Sequence, residues 1–424
     1  MKAVAFEEGI SESEVLSEIA SGRMVIPLNP AHDTVRAVGV GRAVRTKVNA
    51  NLGRSPTNSG EADELDKLSC ALKHGADFVM DLSVGGDISA IRRRMIDASP
   101  APLGTVPVYE TIALLDGDVP SMDPSFLIDV VRRQAEEGVD FMTLHAGLLS
   151  KHVDLALKRK MGIVSRGGSI MAEWMKKHGR ENPLYERWDE VMDILAEHDV
   201  TVSLGDGLRP GCLADASDAA QFAELDVLGE LVERCRKRGV QVMVEGPGHV
   251  PFDQIKANME REQAVCAGAP FYVLGPVVTD IAPAYDHIVA AIGATAAATY
   301  GASLLCYVTP AEHLGLPDMD EVRQGLAAFR IAAHAGDVAR GLKGARDIDD
   351  RMSDARVRFD WDAQFDCALD PDAARARWLR TRPAEEGDCH DDDHCSMCGK
   401  AFCAVRTSKR IRRLMEESAA ADGK

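Results

Sequence analysis

Residues 240–249 read Val-Gln-Val-Met-Val-Glu-Gly-Pro-Gly-His. The first five are a β-branched apolar run typical of a buried strand, and the last five form a rigid turn that carries a carboxylate and an imidazole. An amphipathic helical pattern, Ala219–Arg238, stands immediately before the run. Helix, buried strand and polar turn in this order are the repeating unit of a parallel α/β sheet with helices outside it.

The pattern recurs through residues 46–310, and helical patterns such as Pro124–Glu137 and Asp189–His198 separate most of the apolar runs. Eight such units close into a (β/α)8 TIM-like barrel, which is the predicted fold class. One run is in excess of eight. The interval between Leu144 and Ile163 leaves the least room for a helix, so Ile163–Ser165 is either a short strand or part of an active-site loop. The runs are Lys47–Leu52, Phe78–Leu82, Thr105–Tyr109, Phe141–Leu144, Ile163–Ser165, Val200–Leu204, Val240–Val244, Phe271–Leu274 and Ser303–Val308.

Bulk composition narrows the function classes. The chain has 424 residues, 46% of them hydrophobic, which is ample for a large core. A formal net charge of −18 argues against nucleic acid or an anionic membrane as the main partner, although a few local arginines suffice to bind one phosphate. The N-terminus lacks the apolar region of a signal peptide, and the most apolar run, Ile288 to Tyr300, is too short to span a bilayer. We therefore expect a cytoplasmic protein.

Four segments are predicted. Residues 1–45 are a short N-terminal segment with a helix over Ser11–Ser21, capped by Ser11 or Ser13. Residues 46–345 form the catalytic barrel, and residues 346–394 are a helical and charged linker anchored by Trp361, Phe365 and Trp378. The acidic end of the linker, residues 381–394, predicts a mobile tether to the last segment, residues 395–424.

The last segment contains Cys395, Cys398 and Cys403, spaced Cys-x2-Cys-x4-Cys. Three thiolates this close indicate a bound metal. They can hold three irons of a 4Fe–4S cluster and leave the fourth iron open to the amino and carboxylate groups of S-adenosylmethionine (SAM). The spacing alone fits a structural zinc site equally well, with the fourth ligand from His394, Cys389 or His390.

Polar residues follow nearly every predicted strand, at the barrel end where active sites form. One such residue is weak support for a site, but the whole set indicates a pocket for a small polar ligand. The set comprises Asn51, Met80, Tyr109, His145, Ser165-Arg166-Gly167-Gly168-Ser169, Asp206-Gly207-Leu208-Arg209, Glu245, His249 and Tyr272.

Two of these stretches have a specific chemical interpretation. Ser165–Ser169 offers a cation and unobstructed N–H groups before a helix, as a phosphate cradle does, although a simple glycine turn is equally compatible. His249 and His313 leave two different strands and could meet on one catalytic metal that keeps open positions for water or substrate.

Several long motifs together resemble the ThiC family of 4-amino-5-hydroxymethyl-2-methylpyrimidine phosphate synthases. The resemblance runs from residue 20 to the tail cysteines. The motifs that carry it are Val48-Asn49-Ala50-Asn51-Leu52-Gly53, Val79-Met80-Asp81-Leu82-Ser83, Gly104-Thr105-Val106-Pro107, Ile163-Val164-Ser165-Arg166-Gly167-Gly168-Ser169, Ser203-Leu204-Gly205-Asp206-Gly207-Leu208-Arg209-Pro210-Gly211, Glu245-Gly246-Pro247-Gly248-His249 and Cys306-Tyr307-Val308-Thr309-Pro310.

The resemblance implies a radical-SAM carbon–carbon lyase of thiamine biosynthesis with a (β/α)8 barrel and a flexible C-terminal cluster domain. The enzyme would be a homodimer that receives an electron from an external donor. It would convert 5-aminoimidazole ribonucleotide to the pyrimidine phosphate and release formate and carbon monoxide. We expect the first helix of the family to begin upstream of Met1.

The resemblance also implies residue roles. Glu245 and His145 would be catalytic, His249 and His313 would bind Zn²⁺, and the three tail cysteines would bind the 4Fe–4S cluster. The substrate contacts would be Asn51, Met80, Tyr109, His145, Ser165, Arg166, Gly167, Asp206, Gly207, Leu208, Arg209, Glu245 and Tyr272.

Other functions stay open at the level of sequence. The anaerobic 5-hydroxybenzimidazole synthase of cobamide lower-ligand biosynthesis is a close paralogue that uses the same substrate and the same radical initiator. A zinc-dependent barrel lyase with a zinc knuckle as its tail, and a non-catalytic metal or nucleotide carrier, are more distant alternatives.

Overall fold

A computed structural model describes residues 1–54, 61–380, 394 and 397–422 of the chain. The chain divides into two compact units, Met1–Leu342 and Lys343–Lys424. The first unit contains the sheets and the second is helical. No helix among the described residues combines the length and apolar character needed to cross a bilayer.

The first unit is built on a closed barrel of eight parallel strands, and this confirms the predicted fold class. Each strand pairs with the next along the chain, and the last pairs with the first. A short antiparallel ribbon, β1 (Met24–Val25) and β2 (Val40–Gly41), precedes the barrel. The barrel strands are β3 (Lys47–Leu52), β4 (Phe78–Asp81), β5 (Leu103–Thr105), β6 (Phe141–Leu144), β7 (Thr201–Leu204), β8 (Val242–Gly246), β9 (Phe271–Leu274) and β10 (Ala302–Cys306).

Helices surround the barrel and bury their apolar faces against it, since parallel strands need cover on their outer side. Single-turn 3₁₀ segments lie at Val119–Ser121, Leu213–Asp215 and Phe252–Gln254. The helices of the first unit are α1 (Lys2–Glu8), α2 (Glu12–Ala20), α3 (Glu61–Lys73), α4 (Ile88–Ala98), α5 (Pro107–Ala113), α6 (Pro124–Glu136), α7 (Ser150–Ala156), α8 (Arg166–His178), α9 (Pro183–Glu186), α10 (Trp188–Glu197), α11 (Ala219–Arg238), α12 (Ile255–Val265), α13 (Asp286–Tyr300) and α14 (Met319–Ala339).

Four predicted strands are corrected by the structure. β8 is Val242–Gly246 instead of Val240–Val244, so Glu245 and Gly246 belong to the strand and not to the turn, and β10 is Ala302–Cys306 instead of Ser303–Val308. Ile163–Ser165 lies in the loop before α8, so it is a loop and not a strand. The prediction of a strand over Thr105–Tyr109 is wrong, because β5 is Leu103–Thr105 and Pro107 begins α5. Proline suits the first turn of a helix, where its missing N–H would have no partner, so Tyr109 stands on a helix instead of at a strand end.

The N-terminal segment covers the amino ends of the strands, opposite the predicted site. The side chain of Asn29 donates to the carbonyls of Ala135 and Val139 at 2.7 and 3.0 Å. The His32 ring bonds to Asp140, the residue before β6, at 2.7 Å. Ser11 caps α2 in a capping box with Glu14, which confirms the first of the two predicted caps.

The second unit consists of short helices. The predicted anchors Trp361, Phe365 and Trp378 pack on one another, with ring centroids 5.5 and 5.6 Å apart. The predicted acidic tether lies outside the described residues, apart from His394. The helices are α15 (Asp347–Arg358), α16 (Trp361–Asp366), α17 (Pro371–Arg380), α18 (Gly399–Phe402) and α19 (Ala404–Asp422).

Candidate active site

A pocket of about 90 Å³ opens at the carboxyl ends of the barrel strands. It shares walls with a mouth cavity of about 400 Å³. Together the two have the concave, partly polar form typical of small-molecule sites. Most of the predicted substrate contacts line the inner pocket, namely Asn51, Met80, Tyr109, His145, Asp206, Arg209, Glu245 and Tyr272.

Hydrogen bonds between strands fix one wall of the pocket. Asn49 donates from Nδ2 to the Tyr272 hydroxyl at 2.7 Å and to Oδ1 of Asn51 at 2.8 Å. The Asn51 amide then donates to the Cys306 sulfur at 2.9 Å, and the Tyr272 hydroxyl reaches the Met80 sulfur at 3.5 Å. Burial raises the pKa of the Cys306 thiol to about 12, so this wall is uncharged at neutral pH.

Glu245 is held at the centre of the pocket by two hydroxyl groups. Thr143 and Ser203 donate to its Oε1 at 2.6 and 2.9 Å. Burial raises the pKa of the carboxyl, and the two hydroxyl bonds and Arg209 oppose that rise by favouring the charged form. Both donors come from neighbouring barrel strands, so the position of Oε1 is fixed by the sheet itself.

Asp206 and Arg209 form an ion pair across the turn after β7. The guanidinium donates from Nη1 to Oδ1 of Asp206 at 3.0 Å. Burial raises the pKa of Asp206 to about 7 despite this neighbour, and nearby Glu245 adds to the rise. Oδ2 of Asp206 is buried and has no hydrogen-bond partner in the described part of the chain.

His145 stands as a neutral imidazole between two glycines. A Cβ on Gly167 would lie 2.3 Å from its ring, and one on Gly205 would lie 2.9 Å from it. Burial lowers the pKa of His145 to about 3, and the Arg209 charge contributes. Within the described chain, its Nδ1 has no hydrogen-bond partner.

The start of α8 contributes the predicted phosphate cradle. Ser165 caps the helix by accepting the Gly168 N–H at 3.1 Å, which is standard N-cap chemistry. The Arg166 guanidinium lies over the Tyr109 ring, 4.8 Å from its centroid, and both side chains line the mouth cavity.

The remaining predicted contacts support the pocket from behind. Ser165, Gly167, Gly207 and Leu208 are not among the described residues that line either cavity. Gly167 backs the His145 ring, and Leu208 is fully buried.

The mouth cavity is rich in cations. Arg54, Lys67, Arg166 and Arg209 line it together with the acidic residues Glu64 and Glu312. Glu64 accepts the Gly53 N–H at 2.8 Å and pairs with Lys67 at 3.1 Å. The cations make this cavity suited to an anionic group.

His249 and His313 meet as predicted, with ring centroids 5.3 Å apart. Nδ1 of His249 bonds to Asp280 at 2.8 Å, and Nδ1 of His313 lies 3.7 Å from Asp286. A carboxylate on one ring nitrogen is the usual support of a metal-binding histidine, because it leaves the other nitrogen for the metal. His249 has this support, whereas Nδ1 of His313 is too far from Asp286 for a hydrogen bond. Among the described residues no group of three or more His, Cys, Asp and Glu is placed to hold a metal, so zinc stays a prediction.

Cys398 and Cys403 flank the single-turn helix α18, as its N-cap and C-cap residues. Cys395 lies outside the described residues, as do Cys389 and His390, so the ligand set of the tail is not described as a whole. The two thiols that are described have the right chemistry for a cluster.

Several pocket residues were missed by sequence analysis. Asn49, Thr143 and Ser203 are polar residues inside otherwise apolar parallel strands. Such strands are normally apolar throughout, so their polar residues could have been recognised as facing the pocket. Glu224 contacts the turn after β7 from α11, and no local pattern indicates that contact.

Comparisons with known proteins give several relatives of this chain. Curated phosphomethylpyrimidine synthases from Halobacterium salinarum and Natronomonas pharaonis are each 58% identical to this chain, over 97% of it and 86% of their own length. One from Haloarcula marismortui is 54% identical over 97% of the chain and 85% of its length.

Among solved structures, a dihydropteroate synthase from Xanthomonas albilineans is 14% identical, with a TM-score of 0.45, covering 75% of this chain and 99% of that one. Similarity at this level carries no information on function. The sequence model of the Radical SAM ThiC family matches residues 1–410. With this match across nearly the whole chain and relatives above half identity, the protein belongs to the Radical SAM ThiC family.

Proposed function

We propose that the chain is a phosphomethylpyrimidine synthase of thiamine biosynthesis that acts on 5-aminoimidazole ribonucleotide. The observation that carries the proposal is the inner pocket, which gathers the predicted contacts from different strands into one polar cavity. The names of the relatives at 58% identity support the reaction. They also favour the pyrimidine product over 5-hydroxybenzimidazole.

The chemistry of the pocket suits each part of this substrate. The N-terminus of α8 and Arg166 would take the phosphate, because a helix N-terminus and a guanidinium both favour an anion. Asp206 and Asn51 would bind ribose hydroxyls and the amino group. Ser165 and Gly167, with Gly207 and Leu208, would hold the backbone around these contacts in place.

Glu245 and His145 are the proposed catalytic residues, with Glu245 as the acid–base group. His145 is neutral at physiological pH because its pKa is about 3, so its contribution would be a hydrogen bond from the neutral imidazole and not proton transfer. Glu245 has a pKa raised by burial, which brings it closer to the range useful for proton transfer at neutral pH. Met80, Tyr109 and Tyr272 would close the pocket and exclude water.

The family implies an iron–sulfur cluster and SAM. Cys395, Cys398 and Cys403 would hold the 4Fe–4S cluster, and His249 and His313 would hold Zn²⁺. When bound, the cluster would supply the electron that cleaves SAM to methionine and the 5′-deoxyadenosyl radical, and the overall carbon–carbon lyase reaction would release formate and carbon monoxide. The cationic mouth cavity suits the carboxylate of SAM, the second substrate.

The proposed setting is a cytoplasmic homodimer supplied with electrons by an external donor. Neither nucleic acid nor a membrane is a proposed partner, since a net charge of −18 disfavours both.

A product assay tests the proposal. The full chain is purified without air and incubated with SAM, dithionite and 5-aminoimidazole ribonucleotide, and the products are identified by mass. We expect the pyrimidine phosphate and 5′-deoxyadenosine. The Cys398→Ala variant serves as the control and should form neither. Hydroxybenzimidazole as the sole product would overturn the proposal in favour of the paralogue, and a colourless protein without inorganic sulfide would favour a zinc lyase.

A further inference from the structure

Glu224 is a carboxyl that contacts the pocket walls from outside. It lies on α11 and is only 2% exposed. Its Oε2 accepts a hydrogen bond from the backbone N–H of Leu208 at 2.7 Å, which joins α11 to the turn after β7. This turn carries Asp206 and Arg209 into the pocket.

The turn has no space in which to move. A Cβ on Gly207 would lie 2.9 Å from Oε1 of Glu224 and 3.2 Å from Cα of Gly168. A Cβ on Gly168 would lie 2.2 Å from the Gly207 carbonyl oxygen. The turn is therefore confined between Glu224 on one side and the start of α8 on the other.

The stem of Glu224 also contacts the loop after β6. A Cβ on Gly147 would lie 3.3 Å from Cγ of Glu224. Gly147 is two residues after His145, so one side chain contacts the loop of His145 and the turn of Asp206 and Arg209. Through Gly207, the same side chain supports the helix start that carries Ser165.

Burying the Glu224 carboxyl costs free energy. Burial raises the pKa of the carboxyl to about 8, although the backbone N–H groups of Leu208 and Gly207 favour its charged form. A leucine or methionine of similar volume would avoid this desolvation cost. A residue that served only for packing would therefore be apolar. The carboxyl is explained by its function as a hydrogen-bond acceptor.

We propose that Glu224 is a positioning residue for the substrate pocket. By accepting the Leu208 N–H, Glu224 holds the turn 206–209 against the start of α8. Arg209, Asp206 and the phosphate cradle can then bind one ligand together. The proposal rests on the proposed function for the identity of that ligand. Glu224 itself does not line the pocket and acts through the turn.

The test compares variants that keep or remove the acceptor. Glu224→Gln keeps a carbonyl oxygen at the same reach, whereas Glu224→Met removes it and Glu224→Asp draws it back by one methylene. Calorimetry on the full chain measures Kd for 5-aminoimidazole ribonucleotide. We expect Kd to rise about tenfold in Glu224→Met and Glu224→Asp, and to stay within about threefold of wild type in Glu224→Gln. Glu233→Met, at an exposed glutamate of the same helix, is the matched control and should bind as wild type.

Amide hydrogen exchange without ligand separates the two proposals. The Leu208 N–H should exchange faster in Glu224→Met and Glu224→Asp than in wild type and Glu224→Gln. Circular dichroism and the unfolding midpoint report whether the barrel of each variant is folded. Unchanged exchange and affinity in a folded Met or Asp variant would overturn the role of Glu224. Failure of wild type to bind the ribonucleotide would instead count against the proposed function, and the exchange data would still decide the role of Glu224.

Discussion

At the scale of single residues, the pocket is organised by side chains whose orientation is fixed before a ligand arrives. Glu245 is held by Thr143 and Ser203, and Arg209 is held by Asp206. Groups fixed in this way need little reorganisation when charge develops on a ligand, which is a main source of enzymatic rate enhancement.

Glu245→Gln tests the acid–base role of this carboxyl. The amide has nearly the same shape but cannot exchange a proton, so we expect kcat to fall by about 100-fold or more. The affinity for the ribonucleotide should change much less, because the two hydroxyls can still hold the amide oxygen. Single-turnover product formation gives kcat and calorimetry gives Kd. Retention of the wild-type kcat would contradict the role, and Glu230→Gln, at an exposed glutamate of α11, is the control.

At the scale of elements, the pocket depends on close approach between α8 and the turn after β7. Glycines at positions 168 and 207 allow this approach, because either Cβ would lie within about 3 Å of the other element. The helix start and the turn therefore pack as one unit, although they lie far apart in the sequence.

Gly168→Ala should disrupt this unit. Its methyl group would meet the Gly207 carbonyl oxygen at 2.2 Å, so α8 must move away from the turn. We expect the affinity for the ribonucleotide to fall at least about tenfold, and the free energy of unfolding to fall by about 1–3 kcal/mol. Calorimetry and urea unfolding provide the two measurements. Glu173→Ala, at an exposed position of the same helix, should change neither, and wild-type affinity in Gly168→Ala would refute the close contact.

At the scale of the whole molecule, the N-terminal segment joins the barrel at the end opposite the pocket. His32 donates to Asp140 at 2.7 Å and to the Ser99 carbonyl at 2.9 Å. Both ring nitrogens therefore face acceptors, which only the imidazolium form satisfies. Burial opposes the charge, but Asp140 and the backbone carbonyls around the ring together outweigh burial, and the pKa of His32 is raised above its ordinary value.

This contact makes stability depend on pH in a defined direction. Since the pKa of His32 is higher in the folded than in the unfolded chain, its stabilisation is complete below about pH 6.5 and is lost as pH rises through the folded pKa. In urea unfolding from pH 5.5 to 9, wild type should lose more stability with rising pH than His32→Gln does. His198→Gln should follow wild type. Parallel curves for wild type and His32→Gln would show that the imidazolium contributes nothing.

Much of the architecture follows from local sequence. Apolar β-branched runs alternate with amphipathic helices, and this periodicity alone predicted the barrel, with β3, β6, β9 and α11 at their observed bounds. It could not decide Ile163–Ser165, because a short apolar run has no periodicity of its own. It misplaced Tyr109 because Pro107 starts a helix one residue after a valine that continues the strand pattern.

The sequence by itself determined the fold class, the family and most of the side chains that line the pocket. Those features depend on residue type and spacing along the chain, which determine strands, helices and the turns between them. The tertiary structure alone decided two contacts: the Glu224 carboxyl with the Leu208 N–H, and the backbone of Gly168 with that of Gly207. Such contacts depend on closure of the barrel, which brings together residues that no local pattern relates.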